Sequence, residues 1–216
     1  MADNIIIFCA HNDDNLLGVG GTIARYASEG MNIVTVIFSY GESSHPWLKA
    51  KVTQDMRKKE CEEANKVIGG NDIIYFGLKD SKLEEEVTKN KTKIENKIKE
   101  ILDKFKPRKI FTHAFSDPHP DHKAVTNVLL TVLDKKSMNY DVYSYCVWDP
   151  IEMDKNKFPN LVVDISKHYG TKLKALKCHK SQKITMISLL WNVLRKDLFN
   201  GIKNHCRFAE VFYKIR

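Results

Sequence analysis

Paired cysteines are missing from this chain of 216 residues. Its five cysteines are odd in number, lie far apart and never form a Cys-x-x-Cys pair. This pattern argues against both a disulfide framework and a thiolate zinc site. Because scattered thiols of this kind are typical of a reducing compartment, we expect a cytoplasmic protein.

Long apolar runs are missing as well. The longest nearly apolar stretch, Met186–Leu194, is much shorter than the ~20 residues that a membrane-spanning helix needs. The N-terminus has no basic segment before an apolar run, since Asp3 and Asn4 precede a short strand-like sequence instead. We therefore expect neither a secreted protein nor an integral membrane protein.

The composition is that of a globular protein, with 43% hydrophobic and 29% charged residues. The length predicts a single domain over residues 1–216. The net charge of +8 is uneven: Lys167–Arg216 holds twelve Lys or Arg and two acidic residues, which gives +10 and leaves −2 for the rest. This basic third could face an anionic substrate, a membrane surface or nucleic acid, or form an ordinary lysine-rich surface.

Apolar strand patterns alternate with helical patterns along the chain. This order predicts an α/β fold, a Rossmann-like, mostly parallel sheet with helices on both faces. The expected strands are Ile5–Ala10, Ile33–Phe38, Ile73–Phe76, Lys109–His113, Asp141–Trp148 and Leu161–Ile165, and the expected helices are Leu16–Glu29, Trp47–Ile68, Thr92–Phe105, Pro120–Leu133, Lys167–Lys177 and Ile184–Phe199.

Two polar clusters follow strands of this predicted sheet. The first strand leads into Ala10-His11-Asn12-Asp13-Asp14, and the fourth leads into a longer cluster over residues 113–122. Ligands of open parallel sheets bind beyond the carboxyl ends of the strands, so both clusters can contribute to one site. Imidazole and carboxylate ligands without thiolate suit zinc or a similar ion.

Spacing alone leaves the ligand set open. His11 and Asp14 are three residues apart, as are His119 and His122, and either pair could converge on one ion. Residues that merely cap helices would explain one such pair equally well. The glycines at Gly18, Gly20 and Gly21 do not complete Gly-x-Gly-x-x-Gly, because the last position is Ile23. A glycine-rich helix face packed on the sheet is the better interpretation.

Read together, these segments resemble a known family. Ala10-His11-Asn12-Asp13-Asp14, Gly20-Gly21-Thr22-Ile23 and His119-Pro120-Asp121-His122 are similar to the motifs of the LmbE/PIG-L family of zinc-dependent N-acetylglucosamine deacetylases. The helix containing Arg57, Glu60 and Ala64, the region from Asp164 through Lys172 and His179 to Gln182, and Ala209-Glu210-Val211-Phe212 extend the resemblance over nearly the whole chain. Asn12 departs from the family, which usually has proline there.

The resemblance assigns roles to particular residues. It implies that His11, Asp14 and His122 bind one zinc ion per chain, that Asp13 is the general base and that His119 assists catalysis. Another divalent ion such as iron could replace zinc in such a site. Arg57, His179 and Gln182 are candidate substrate contacts. The alternative for Arg57 is a helix-surface ion pair with nearby glutamates, and the alternative for His179 and Gln182 is that they brace the site from the C-terminal segment.

Three neighbouring residues receive weaker interpretations. His113 has no ligand role by the resemblance and is expected in the core or behind the ligands. Asp121 could orient a histidine, or its charge could stabilise a helix N-terminus. Glu42 is a weaker candidate of the same kind.

The apolar helical pattern at 184–199 has two interpretations. Ile184, Ile187, Leu190, Trp191, Leu194 and Leu198 recur at helical spacing with basic residues around them. A core or dimer-packing helix is one, and an interfacial helix that brings the enzyme to a lipid-linked or anionic substrate is the other.

The sequence therefore supports three functional hypotheses. The first is a zinc hydrolase that removes the acetyl group from an N-acetylglucosamine-containing small molecule. The second is an amidase that acts on a different N-acyl conjugate. The third is a basic polyanion- or nucleic-acid-binding module without a catalytic metal, which no RNA-binding aromatic signature or zinc-finger spacing supports, so nucleic acid is not an expected partner. A homo-oligomer is compatible with all three.

Overall fold

The computed structural model describes residues 3–148 and 161–216, and it describes only the backbone of residues 183–188. The strands are β1 (Asn4–Cys9), β2 (Asn32–Ser39), β3 (Asp72–Leu78), β4 (Lys109–His113), β5 (Val142–Tyr145), β6 (Leu161–Asp164) and β7 (Ala209–Lys214). The helices are α1 (Asp14–Ser28), α2 (Ala50–Ile68), α3 (Leu83–Lys89), α4 (Lys91–Phe105), α5 (Pro120–Lys135), α6 (Tyr169–Leu176) and α7 (Lys183–Lys203).

The described strands form one sheet in the order β3-β2-β1-β4-β5-β7-β6. The first five are parallel, while β7 runs antiparallel to both β5 and β6. The predicted α/β fold with a mostly parallel sheet is confirmed. Parallel strands are normally covered on both faces, which explains the continuous apolar sequence of β1.

Alternate residues of β1 point to two separate cores. Ile5, Ile7 and Cys9 pack with α1, α2, α6 and α7 on one face. Ile6 and Phe8 pack with α3, α4 and α5 on the other. In the described part of the chain no helix is both long enough and apolar enough to cross a lipid bilayer.

Two elements escape the sequence prediction for identifiable reasons. The helix α3 has only seven residues and buries only Leu83, so it shows no helical periodicity. The strand β7 carries Glu210 at a buried position, and a charge there interrupts the expected alternation of apolar and polar residues. The predicted helix from Trp47 begins at Ala50, and Trp47 is highly exposed.

The glycines of α1 allow close packing. A Cβ atom on Gly18 would lie 2.2 Å from the Tyr145 ring of β5, and one on Gly21 would lie 2.5 Å from Ile165. Neither distance is compatible with a side chain. The interpretation of a glycine face against the sheet is confirmed at Gly18, and Gly21 packs on the segment after β6.

The helix α7 has one buried and one exposed side. Leu189 and Val193 are buried, whereas Trp191, Phe199 and Ile202 are largely exposed. The predicted helix is confirmed, and its core-facing side agrees with the first interpretation. Ile184 and Ile187 lie outside the described side chains. The exposed side keeps both the dimer and the interfacial hypotheses as predictions.

A buried ionic network joins α1, α6, α7 and β7. The Lys172 ammonium contacts Asp197 Oδ2 at 2.6 Å and Glu210 Oε1 at 2.7 Å, and all three side chains are inaccessible to solvent or nearly so. The Glu210 carboxylate also accepts hydrogen bonds from the backbone N–H groups of Gly21 and Thr22 in α1. The network therefore fixes the helix that begins at Asp14.

We expect Lys172→Met to destabilise the protein by about 3–5 kcal/mol, because it leaves two carboxylates buried without their cation. Urea unfolding followed by circular dichroism measures the free energy of unfolding. Lys174→Met is the matched control, since Lys174 is exposed on the same helix and its loss should change stability by less than about 0.5 kcal/mol. Equal stability of the two variants would contradict this role for Lys172.

Candidate metal centre and active site

The site lies where the strand order reverses. The strands β1 and β4 are neighbours, but the chain proceeds from β1 to one side of the sheet and from β4 to the other. Such a reversal opens a crevice beyond the carboxyl ends of the two strands. His11–Asp14 follows β1 and residues 113–122 follow β4, so the fold brings both polar clusters into this crevice.

His11, Asp14 and His122 meet at the base of the crevice. His11 Nδ1 lies 3.5 Å from Asp14 Oδ2, and His122 Nε2 lies 3.4 Å from Asp14 Oδ1. One ligand atom from each residue falls within 4.8 Å of the other two. Two atoms bound to the same tetrahedral zinc ion at 2.0–2.1 Å are about 3.4 Å apart. The donor set and its spacing therefore fit a metal ion.

An unpaired nitrogen supports the same fit. His122 is completely buried, and its Nε2 has no hydrogen-bond partner. Burial of an unpaired polar atom is costly unless another group, such as a metal ion, uses its lone pair.

The electrostatics of the site favour a cation. Burial lowers the pKa of His122, but Asp14 and Asp117 outweigh this effect and raise it to about 9. Burial would raise the pKa of Asp14, but the neighbouring histidines hold it well below its usual range. The carboxylates thus remain ionised, and they would stabilise a divalent ion in the same place.

Three further carboxylates surround the histidines. Asp80 Oδ1 lies 3.1 Å and Asp121 Oδ2 lies 3.4 Å from His11 Nε2, while Asp117 Oδ1 lies 3.0 Å from His122 Nδ1. The last approach is too oblique for a well-formed hydrogen bond. Metal-binding histidines commonly contact a carboxylate in this way.

The sequence interpretation has Asp121 orient His119 or His122, which flank it, but its carboxylate approaches His11 instead. The same carboxylate accepts hydrogen bonds from the backbone N–H groups of Ser81 and Leu83. Asp121 also lies in the first turn of α5, where a negative charge is favourable.

Asp13 and Arg57 form an ion pair beside the metal-ligand group. Asp13 precedes α1 as its N-cap, but its side chain makes no capping hydrogen bond. Instead, its Oδ2 lies 3.2 Å from Arg57 Nη2, and Arg57 Nη1 donates to the Gly41 carbonyl at 3.0 Å. Arg57 is buried, so the expectation of a helix-surface ion pair is wrong. The guanidinium holds Asp13 at the edge of the cavity.

His119 faces the cavity from the start of α5. Its Nδ1 accepts a hydrogen bond from the backbone N–H of Asp121 at 3.2 Å. The neutral ring therefore carries its proton on Nε2. This side chain can donate a hydrogen bond to a bound molecule without being protonated.

His113 is fully buried behind the ligands. Its Nε2 accepts a hydrogen bond from the Ala10 N–H at 3.0 Å and lies 3.4 Å from Asp14 Oδ2. Burial, more than any other cause, lowers its pKa to about 4, so the ring is neutral. This placement agrees with the expected position in the core behind the ligand group.

The remaining candidates differ in their access to the cavity. Gln182 lines it and donates to Ser44 Oγ. His179 is buried and is not among the described residues of the cavity wall. Glu42 accepts the Asp80 N–H and thereby shapes the loop that carries Asp80.

The cavity has a volume of about 270 Å³ and a lining of mixed character. Besides the His and Asp residues and Arg57, both polar and apolar side chains line it. The polar ones are Ser43, Ser44, Ser81 and Gln182, and the apolar ones are Leu17, Val147, Trp148 and Leu189.

The sequence analysis did not identify Asp80, Asp117 or the apolar lining residues as parts of the site. Asp80 follows β3 by two residues, so the rule that ligands bind beyond strand ends could have identified it. Asp117 lies inside the second polar cluster, where its partners could not be inferred. Leu189 comes from a distant helix and carries no local signal.

Comparisons with known proteins identify the family. Residues 6–133 match the family model described as PIG-L, GlcNAc-PI de-N-acetylase. The chain is 26% identical over 206 residues to a probable N-acetyl-alpha-D-glucosaminyl L-malate deacetylase 2 of Bacillus subtilis, covering 91% of each protein.

Solved structures confirm the fold. The N,N'-diacetylchitobiose deacetylase from Pyrococcus horikoshii superposes with a TM-score of 0.79 at 22% identity, over 99% of this chain and 84% of that one. GalB, a 4-carboxy-2-hydroxymuconate hydratase from Pseudomonas putida, superposes with a TM-score of 0.79 at 18% identity, over 99% of this chain and 96% of that one. Because a hydratase shares the fold, the fold alone does not define the reaction.

The family match covers more than half of the chain and contains both polar clusters. The Bacillus subtilis relative, which matches 91% of this chain, is named a probable deacetylase. This chain therefore belongs to the PIG-L/LmbE family and is a hydrolase of the deacetylase class.

Proposed function

We propose that this protein is a zinc-dependent deacetylase that hydrolyses the acetamide of an N-acetylglucosamine-containing small molecule and releases acetate. The observation that carries the proposal is the convergence of His11, Asp14 and His122, of which His11 and Asp14 line the same cavity as Asp13. Residues that only cap helices would not need to converge, so this arrangement favours an enzyme over a polyanion-binding module.

His11, Asp14 and His122 would hold the zinc and leave a coordination position open, as catalytic zinc sites do. When bound, zinc makes water a nucleophile near neutral pH and polarises a carbonyl group.

Asp13 acts as the general base. Its carboxylate takes the proton of the attacking water and returns it to the departing amine. Arg57 orients the Asp13 carboxylate through the 3.2 Å contact between Arg57 Nη2 and Asp13 Oδ2. Arg57 is thus engaged with the base and the Gly41 carbonyl, which limits its own contact with the substrate.

His119 stabilises the oxyanion that forms as the carbonyl carbon becomes tetrahedral. Because its Nδ1 accepts the Asp121 N–H, its Nε2–H is the donor. A single preorganised donor of this kind is often worth about 3–4 kcal/mol in the transition state.

The mixed polar and apolar lining of the cavity suits a pyranose ring. Hydroxyl and amide groups of Ser43, Ser44 and Gln182 can bind sugar hydroxyls, while Val147 and Trp148 can cover the less polar face of the ring. Arg57 is the only Lys or Arg among the described lining residues, and Asp13 already neutralises it. This lining favours a neutral amino sugar over an anionic conjugate. We place the enzyme in the cytoplasm, in keeping with its scattered thiols, and a homo-oligomer remains compatible with the exposed side of α7.

We expect Asp13→Asn to lower kcat for acetate release by about 10²–10⁴-fold, the usual contribution of a general base. Bound zinc should be retained, because Asp13 is not among the ligands. Asp55→Asn is the control, since Asp55 is exposed and pairs only with Lys51 on α2. Full activity of Asp13→Asn would show that another group is the base.

Purified protein should contain about one zinc per chain by elemental analysis. Removal of the metal with a chelator should abolish acetate release, and added zinc should restore it. Asp14→Ala should lose the metal, because one side chain supplies the carboxylate between both histidines. An Asp14→Ala variant that keeps stoichiometric zinc would contradict the assigned ligand set.

A substrate panel tests the character of the sugar conjugate. We expect kcat/KM for N,N'-diacetylchitobiose to exceed that for an N-acetylglucosaminyl malate by about tenfold, equivalent to about 1.4 kcal/mol. Acetate release is the measurement, and free N-acetylglucosamine is the reference. A preference for malate or lipid-linked conjugates would instead connect the basic C-terminal third with substrate binding.

A further inference from the structure

Asp117 is a completely buried carboxylate between β4 and α5 that accepts three hydrogen bonds from backbone N–H groups. Oδ1 accepts the His119 N–H at 3.1 Å and lies 3.0 Å from His122 Nδ1. Oδ2 accepts the N–H groups of Val147 at 3.1 Å and Trp148 at 3.3 Å. Four partners on two oxygens are enough to keep a buried carboxylate ionised.

The two oxygens have different partners. The backbone bonds of Oδ2 attach Asp117 to the segment that follows β5, which is also part of the cavity wall. The carboxylate is therefore fixed from outside the motif that contains the ligands. Oδ1 is left to face His122, one turn into α5.

The contact with Oδ1 bears on the tautomer of His122. A neutral imidazole carries one proton, either on Nδ1 or on Nε2. A carboxylate 3.0 Å from Nδ1 favours the proton there, even in an oblique approach. The lone pair then lies on Nε2, which faces Asp14 and has no hydrogen-bond partner.

We propose that Asp117 is a positioning residue that holds His122 as the Nδ1–H tautomer, so that Nε2 is available to a metal ion. Asp117 is neither one of the three assigned ligands nor a described lining residue of the cavity, and it acts through His122. The inference rests on the metal centre of the proposed function, and it concerns a residue outside the assigned ligand and base set.

The tautomer of His122 can be determined directly by NMR in the unmodified protein. Protein labelled with ¹⁵N-histidine and loaded with zinc should show a proton on His122 Nδ1 in long-range ¹H–¹⁵N spectra. The His122 signals are assigned by their absence from His122→Asn. A proton on Nε2 of His122 would overturn the proposal without any Asp117 variant.

Zinc affinity provides the second measurement. Asp117→Asn must turn an amide NH₂ toward N–H donors, and it should lower zinc affinity by about 10–100-fold in competition with a chromophoric chelator. Glu60→Gln is the matched control, because Glu60 is another buried carboxylate, on α2, and it accepts its hydrogen bonds from Ser181. The control variant should lose stability but keep wild-type zinc affinity. The two variants are compared well below their melting temperatures.

The outcomes separate the two proposals. Wild-type affinity in Asp117→Asn, with zinc still bound by the parent protein, would overturn the role of Asp117 alone. Failure of the parent protein to bind zinc, cobalt or iron would overturn the metal centre and this inference together. Equal loss of affinity in Asp117→Asn and Glu60→Gln would show that Asp117 acts only through general stability.

Discussion

Negative charge concentrated at one edge of the sheet is the constraint on which the rest of the site depends. Several carboxylates lie beyond the ends of β1, β3 and β4, and histidines with unpaired or shared nitrogens lie between them. Negative charge in a buried place needs compensating positive charge. A divalent ion would supply that charge compactly. The carboxylates are Asp13, Asp14, Asp80, Asp117 and Asp121.

The scaffold holds this cluster through contacts made far from it. The start of α1 carries Asp13 and Asp14, and its middle is fixed by Glu210 and Lys172 through hydrogen bonds and close glycine packing. The C-terminal elements therefore stabilise the N-terminal motif. Asp117 makes a similar connection from β5 to His122. Rigid support of this kind is what a preorganised site requires, since small displacements of ligands are costly.

Reaction and substrate are decided by different parts of the cavity. The histidines and aspartates at its base suit hydrolysis of an amide, a chemistry that agrees with the deacetylase family. Polar and apolar lining residues come from the loop after β2, from the segment after β5 and from α7. Relatives with the same base can thus act on different conjugates, because loops and helix ends vary more freely than strand ends.

The sequence by itself determined the order of strands and helices and the two motifs that contain His11, Asp14 and His122, because apolar periodicity and residue spacing are local properties. It did not reveal β7, where Glu210 interrupts the strand pattern, or α3, which is too short to show a period. Only the tertiary structure decided that Arg57 is buried against Asp13, that Asp80 and Asp117 stand behind the histidines and that Leu189 reaches the cavity. These contacts join residues far apart in the chain, and they form only when the sheet brings its strand ends together.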